Sequence, residues 1–520
     1  MESVTLDKWK WLVAAALFAF CVAPTFISYQ PYLFKWDDSE YLLRSIAVSR
    51  TFWSGNIHGL SAAMVSIRPP AMTLLGLPWG PLASWDAAGN CFITLAAVIS
   101  LLAASCLYLL LRIGVKPLFL VVASVCVGAS MGPYPSGTPA PGEAVSRGLG
   151  GSFEMHGMAT AFVADSIFAW TTLAAMLLIP YEARTPCLTT RGAVVRGILW
   201  GSILSLGVMT KLNFFYFVVL ILPTLFLISL HHGGLRRAMA ALTAFACVSL
   251  PSAIYLVRWG GPAFHNLRAS SFGGTANFYY IPLLEFLGNT IRESPGLVLS
   301  FVLTAAPLIY LVIKRRVMQS WPDFLAFMII LGFGMVVFAA PNRQIRYAFP
   351  AIVALPFLAG ILLSGKGHSA PSRSAALAAG LVFCGLVAAS VPTRHRADRQ
   401  SLSRSDAVLA QAARCNAHHI VLATDSPTLN GNLMALAIEF SASGASVRTL
   451  AYHAMSGIPI EEDFRTMSES DQVVFQDGDA LSPAFSNQRV LEYERYIRQG
   501  GSVPIRVGDD VSVYSMRCRP

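Results

Sequence analysis

The stretch YLFKWDDSEYLLR, Tyr32 to Arg44, places two adjacent carboxylates, Asp37 and Asp38, and a third acid, Glu40, just after a strongly apolar segment. Acids in a row repel one another and prefer bulk water, so keeping them against a membrane surface calls for a reason. Two readings are open. The acids cap the helix that follows, whose N-terminus favours negative charge; this explains one acid better than two followed by Glu40. Alternatively, a carboxylate here accepts a proton from a hydroxyl or amine, or holds a divalent metal that neutralises a phosphate. Cations suited to the same chemistry stand in neighbouring loops: Arg68 before Pro69-Pro70, Lys211 in GVMTKLNFF, and Arg343, Arg346 and Tyr347 in APNRQIRYAFP. For each arginine the plain alternative is anchoring at the interface. Lys211 fits that alternative worst, because an ionisable group inside apolar sequence needs a partner. Acids and bases converging on one leaflet boundary point to an anionic lipid head group.

These residues are positioned by a chain of 520 residues that is 55% hydrophobic and only 13% charged. A soluble domain carries about 25% charge, so most of the mass belongs in lipid. The net charge of +10 reads as loop charge that sets orientation, and no Lys/Arg stripe with interleaved aromatics points to nucleic acid. The N-terminal run lacks a small-x-small cleavage site and reads as a retained helix. Eleven apolar runs are long enough to span, at roughly 11–29, 91–111, 117–133, 159–180, 196–210, 213–230, 238–257, 296–313, 322–340, 347–364 and 375–392. The run from Pro69 to Trp85, broken by Pro78, Gly80 and Pro81, reads as re-entrant or interfacial. The stretch SEYLLRSIAVSRTFWSG has the pattern of a helix lying in the interface.

Alternate loops carry Lys8/Lys10, Arg112/Lys116, Arg184/Arg191/Arg196, Arg236/Arg237, Lys314/Arg315/Arg316 and Lys366/Arg373. Short basic loops belong in the cytoplasm, which puts the N-terminus inside and residues 30–90, 134–158, 258–295, 341–346 and the tail outside. Composition changes at about Arg394, dividing the chain into a transmembrane domain, 1–393, and a soluble domain, 394–520. RHRADRQSLSRSDA reads as a polar linker. After it, strand patterns (HIVLATD, SVRTLAY, DQVVFQDGD, DVSVYSMRC) alternate with helix patterns (LNGNLMALAIEFSASG, NQRVLEYERYIRQGG), as in a small α/β domain. Cys415 and Cys518, at its two ends, form a disulfide or remain two thiols; in an oxidising compartment the former is open to them.

WDDSEY, RPPAMTLLGLP, ATAFVADSIFAWTTLAAMLL, GVMTKLNFFYFVVLILP and RQIRYAFPAIVALPFLAG occur in that order over about 390 residues. Together they resemble the GT-C superfamily of membrane glycosyltransferases, specifically bacterial relatives of the protein O-mannosyltransferases and lipid A aminoarabinose transferases. The resemblance implies a multi-pass α-helical bundle with interfacial helices in its first outer loop. It implies that Asp37 and Asp38 mark the active site and that Arg68 contacts a donor phosphate. Lys211, Arg346, Tyr347 and Asp165 match further motif positions; Asp165 is otherwise a helix N-terminal acid. The chain departs from the aminoarabinose branch where that branch has an arginine three positions after the first acid: here the residue is Glu40, which puts that sugar and lipid A in doubt.

The expectation is an inverting transfer of a sugar from a polyprenyl-phosphate donor to an envelope glycolipid, glycan or protein at the outer face of the cytoplasmic membrane, with Asp37 as base. The rival is a transporter or flippase for a lipid-linked or anionic solute. That class often shows inverted repeats and charges within broken helices, whereas no repeat is visible and the acids lie outside the runs. Glu154, His156 and His58 are too few and unordered to define a metal site. His231-His232 and His418-His419 read as solvated loop residues, and residues 264–280 as the mouth that admits the acceptor.

Overall fold

A backbone in hydrocarbon must satisfy its own hydrogen bonds, which leaves helices as the natural answer for apolar runs of this length. The computed structural model describes residues 2–23, 36–131 (without 67 and 83), 164–272 (without 188), 320–339, 345–390 (without 366–368), 399–426, 429–476 (without 442, 452 and 454–456), 487–507 and 510–517, with isolated positions between 282 and 309. Its first part holds helices α1 (Glu2–Val22), α2 (Trp36–Trp53), α3 (Ile57–Met64), α4 (Ala71–Leu74), α5 (Trp85–Ile113), α6 (Pro117–Met131), α7 (Ala164–Arg184), α8 (Thr190–Thr210), α9 (Phe215–Trp259), α10 (Gly261–Phe272), α11 (Trp321–Ala339), α12 (Ile345–Ser364) and α13 (Ser372–Ser390).

Among the described residues six helical stretches are long and apolar enough to cross a membrane: Asn90–Ile113, Asp165–Arg184, Thr190–Thr210, Leu212–Trp259, Tyr347–Ser364 and Ser372–Ala389. Lys10–Val22, Pro117–Gly128 and Trp321–Val337 are apolar but shorter. Leu212–Trp259 is two helices, because Gly234 adopts a φ of 74° and breaks α9 beside Arg236 and Arg237. Every apolar run read from the sequence falls on one of these helices except 296–313, most of which lies outside the described residues. The bundle is built around α7, which touches α5, α8, α9, α11 and α12. The middle of α7 is enclosed on all sides: Trp170, Leu173 and the run Ala174 to Ile179 are at most 1% exposed.

Four of the arginines from the basic loops gather at one end of the bundle. Arg184 pairs with the buried Asp323 and donates to the carbonyls of Gly365 (2.8 Å) and Ile113 (3.2 Å). Arg112 donates to Ala370 O at 3.0 Å, Arg196 pairs with the buried Glu182 at 2.7 Å, and Arg237 donates to Cys187 O at 3.4 Å. Here the arginines stitch helix ends together as well as carrying charge.

The second part is a five-stranded sheet, order β2-β1-β3-β5-β4, formed by β1 (His419–Leu422), β2 (Ser446–Thr449), β3 (Gln472–Gln476), β4 (Pro504–Arg506) and β5 (Val511–Ser515). β1 is parallel to β2 and β3, and β5 runs antiparallel to β3 and β4. Side chains alternate between faces along a strand. Ile420, Leu422, Val474 and Val513 therefore pack with α14 (Arg399–Arg414) and α15 (Gly431–Ser441), while Val421, Val473, Phe475 and Tyr514 pack with α16 (Ile460–Glu469) and α17 (Asn487–Gln499). Each expected strand and helix of the tail is present, and β4 and α16 are added. The stretch read as a linker is helical from Arg399: Val408, Leu409 and Ala412 form a short apolar stripe against the sheet, too narrow to stand out among serines and arginines. Cys415 is disulfide-bonded, and Cys518 lies outside the described residues. In the second core Asp463 accepts from Tyr493 Oη (2.5 Å) and Arg489 (2.9 Å) and contacts His453 Nδ1 (2.5 Å); burial and then Asp463 push the Tyr493 hydroxyl above its usual range.

Candidate active site at one end of the bundle

The acids open α2, with Asp37 and Asp38 in its first turn; their side chains lie outside the described residues. One turn on, Glu40 is at the centre of a charge cluster. Its Oε2 accepts from Arg68 Nε at 3.0 Å and its Oε1 from Arg44 Nε at 3.2 Å. The Arg68 guanidinium stands 5.3 Å over the Tyr41 ring, and its backbone N–H donates to Ser66 Oγ at 3.0 Å. Arg68 is held where it is because the Pro69-Pro70 bend leads into α4, whose Ala71, Met72 and Thr73 are buried. Ser45 Oγ donates to Met72 O at 3.2 Å, Ser49 Oγ to Gly80 O, and Arg50 Nε to Leu82 O at 2.9 Å. The segment read as re-entrant or interfacial is thus a short helix and turn fastened along α2.

The helix expected along the interface is present, and protein covers its apolar face. Tyr41, Leu42, Ile46 and Val48 are at most 3% exposed. The cover comes from α4 and, unforeseen in the sequence, from α15 of the α/β domain. Leu433 and Leu436 of α15 join the bundle's own core, and Glu439 pairs with Arg50. Phe52 and Trp53, at the end of α2, stay exposed.

Lys211 lies at the break between α8 and α9. Its backbone is extended (φ −148°, ψ 132°), its N–H still bonds Gly207 O at 2.9 Å, and a 3-10 turn, Leu212–Phe214, follows. The break is tight because Phe214 folds back onto Gly207: a Cβ there would stand 2.4 Å from the ring. The partner that the sequence demanded for Lys211 is Asp165, in the first turn of α7 and 4% exposed. The Lys211 ammonium also lies 5.6 Å from the ring centroids of both Phe168 and Tyr347. Beneath it Phe168, Phe214, Phe217 and Phe333 form an aromatic floor, with centroid distances from 4.8 to 6.4 Å. Helix α4 touches both α2 and α8, so the Glu40 and Lys211 clusters share one end of the bundle. The arginine-stitched loops close the other end of α7.

Of the expected residues, Asp165, Lys211 and Tyr347 come together, and Arg68 joins α2. Arg346 lies in the first turn of α12 with its side chain outside the described residues, and Arg343, Glu154 and His156 lie outside them altogether. His58 is exposed on α3. Among the described residues no group of three or more His, Cys, Asp or Glu is placed to hold a metal ion. Sequence reasoning missed Arg44, whose signal was its i,i+4 spacing from Glu40 on α2.

No family model matches the chain, and no curated protein matches it. Among solved structures, ArnT from Cupriavidus metallidurans bound to undecaprenyl phosphate superposes with a TM-score of 0.50 at 12% identity, covering 98% of each chain. The archaeal oligosaccharyltransferase AglB from Archaeoglobus fulgidus, in complex with an inhibitory peptide and a dolichol-phosphate, gives 0.47 at 10% identity over 90% of this chain and 70% of that one. The likeness to ArnT extends over nearly the whole of both chains and shows that the two share a fold.

Proposed function

We propose that the protein is a glycosyltransferase that moves a sugar from a polyprenyl-phosphate donor to an envelope acceptor at the outer face of the cytoplasmic membrane. The observation that carries this reading is the gathering of Lys211, Asp165, Tyr347 and Arg68 at the end of the bundle where the helix bearing Asp37 and Asp38 begins. ArnT, with the same fold, binds undecaprenyl phosphate, and a donor of that class keeps its isoprenoid tail in lipid. The disulfide at Cys415 fits an oxidising compartment for the α/β domain.

In the reaction the acceptor hydroxyl or amine attacks the anomeric carbon in line. The bond from that carbon to the phosphate oxygen breaks, the electron pair leaves with the polyprenyl phosphate, and configuration inverts. Asp37 takes the acceptor's proton, and Asp38 orients Asp37 or the acceptor. Arg68 and Arg346 meet the charge that grows on the leaving phosphate. Lys211, tied to Asp165, sets the field beneath it. Helix α10, which packs against the turn after Lys211, lines the acceptor entrance; residues 273–280 of the stretch read as that mouth lie outside the described residues. In a partly dehydrated pocket such charges count for more than in water.

Protein purified in detergent and given a polyprenyl-phosphate sugar with candidate acceptors should release polyprenyl phosphate. Asp37→Asn should abolish release while leaving the thermal unfolding temperature in place. Undiminished turnover in Asp37→Asn would remove the base assignment, and solute movement without bond cleavage would replace the reading with transport.

A further inference from the structure

Arg50, near the far end of α2, bonds two separate walls at once. Its Nε donates to Leu82 O at 2.9 Å, in the segment between α4 and α5, and its Nη1 pairs with Glu439 of α15. Glu439 stands 389 residues further along the chain. The guanidinium is a rigid planar fork, so donors that leave it in two directions fix an angle between the partners they reach. Helix α2 is fastened again by Ser45 Oγ to Met72 O at 3.2 Å and by Trp53 Nε1 to Leu77 O at 3.0 Å. At its opposite end stand Asp37 and Asp38, with Glu40 held 3.0 Å from Arg68.

The pair is a poor stabiliser. Its side chains are 33% and 42% exposed, and ion pairs in that setting contribute little to folding. What holds α15 against α2 is apolar: Leu433 and Leu436 are fully buried in the bundle's core. Burial of that kind is non-directional, so it presses the two helices together without setting how far α2 turns about its axis or slides along it. Directional bonds are needed for that, and Arg50 makes them to the α/β domain and to the bundle together. Helix α2 is continuous from Trp36 to Trp53, so a turn or slide at Arg50 is carried to the acids. A misplacement of about 1 Å, even from a change far from the chemistry, can slow a reaction about a hundredfold.

We propose that Arg50 and Glu439 are positioning residues through which the α/β domain sets the angle and height of α2, and with them the place of Asp37, Asp38 and Glu40 in the site. The inference rests on the transferase reading above and gives the α/β domain a part in it. Neither side chain is asked to touch substrate; each acts through the helix.

The test uses the full-length protein in detergent, with a polyprenyl-phosphate sugar as donor, and reads kcat, KM for the donor, the unfolding temperature and backbone hydrogen exchange. Glu439→Lys should lower kcat about tenfold or more. KM should stay within about twofold, as for a group that acts on the reacting geometry alone, and the unfolding temperature should stay near that of wild type. Exchange should quicken in residues 36–44, at the acid end of α2. Arg50→Gln should do the same, and Arg50→Gln/Glu439→Lys should be no slower than Arg50→Gln alone, because the two act as a unit. Glu494→Lys, a charge reversal on α17, is the control and should match wild type. Should Arg50→Gln fail to fold, Glu439→Lys, at an exposed side chain, still decides. An unchanged kcat in folded Glu439→Lys overturns the proposal. So does a loss of kcat matched by a fall in unfolding temperature, which would make the pair structural only, and so does a rise in KM alone, which would make it a binding contact. Asp37→Asn separates the two readings: turnover lost in Asp37→Asn, with normal kcat in Glu439→Lys, removes only this proposal. A wild-type protein without turnover removes the transferase reading, and exchange in residues 36–44 then decides this one by itself.

Discussion

Lys211 shows what a single side chain in an apolar setting demands. Its ammonium and the Asp165 carboxylate are both largely removed from water, so each is tolerated because of the other. Lys211→Met leaves Asp165 buried without its counter-charge and should cost roughly 3–5 kcal/mol, as breaking such a pair does. The double variant Lys211→Met/Asp165→Leu removes both charges and should regain most of that stability while remaining inactive. Thermal unfolding in detergent, paired with turnover, reads both effects; recovery of turnover in the double variant would make the pair structural only. The need for a partner was legible from Lys211 alone. Its identity was open, because Asp165 sits 46 residues earlier on another helix and a helix N-terminal acid has a sufficient reason to be there. Glu40 illustrates the opposite limit. Its reversed charge stood out in the sequence, but only the fold brings Arg68 across to it.

At the level of elements, hydropathy located helices well because lipid imposes one rule on all of them. It was less informative where protein replaces lipid. The apolar face of α2 looked like an interfacial pattern, and a face buried under α4 and α15 has the same periodicity. Helix α14 escaped for a related reason: its buried stripe is three residues wide in a polar stretch. The break between α8 and α9 depends on Gly207, since Phe214 is fully buried and its ring occupies the space of a Cβ. Gly207→Ala should therefore overpack this corner by about 1–3 kcal/mol and displace Lys211. Lower unfolding temperature with reduced turnover is the expected pair of results. Unchanged turnover would mean that the corner does not position the site.

On the scale of the whole molecule, the α/β domain is part of the bundle's interior as well as a module with two cores of its own. Leu433 and Leu436 are 0% exposed within the core that includes Tyr41, Leu42 and Ile46. Each fully buried leucine is worth about 1.5–3 kcal/mol, whereas the half-exposed Arg50–Glu439 pair contributes little. Truncation after residue 393 should therefore lower the unfolding temperature of the remaining bundle, measured in detergent. Glu439→Gln should leave that temperature nearly in place. An unaltered unfolding temperature after truncation would show that the domain only rests on α2.

That shared interior has a consequence for biosynthesis. The ribosome delivers α2 near the start of the chain and α15 about 390 residues later. At roughly 5–20 residues per second, the part of the early helix that α15 covers is bare for on the order of 20–80 s. During that interval a chaperone or the lipid surface itself must shelter it until its last neighbour emerges.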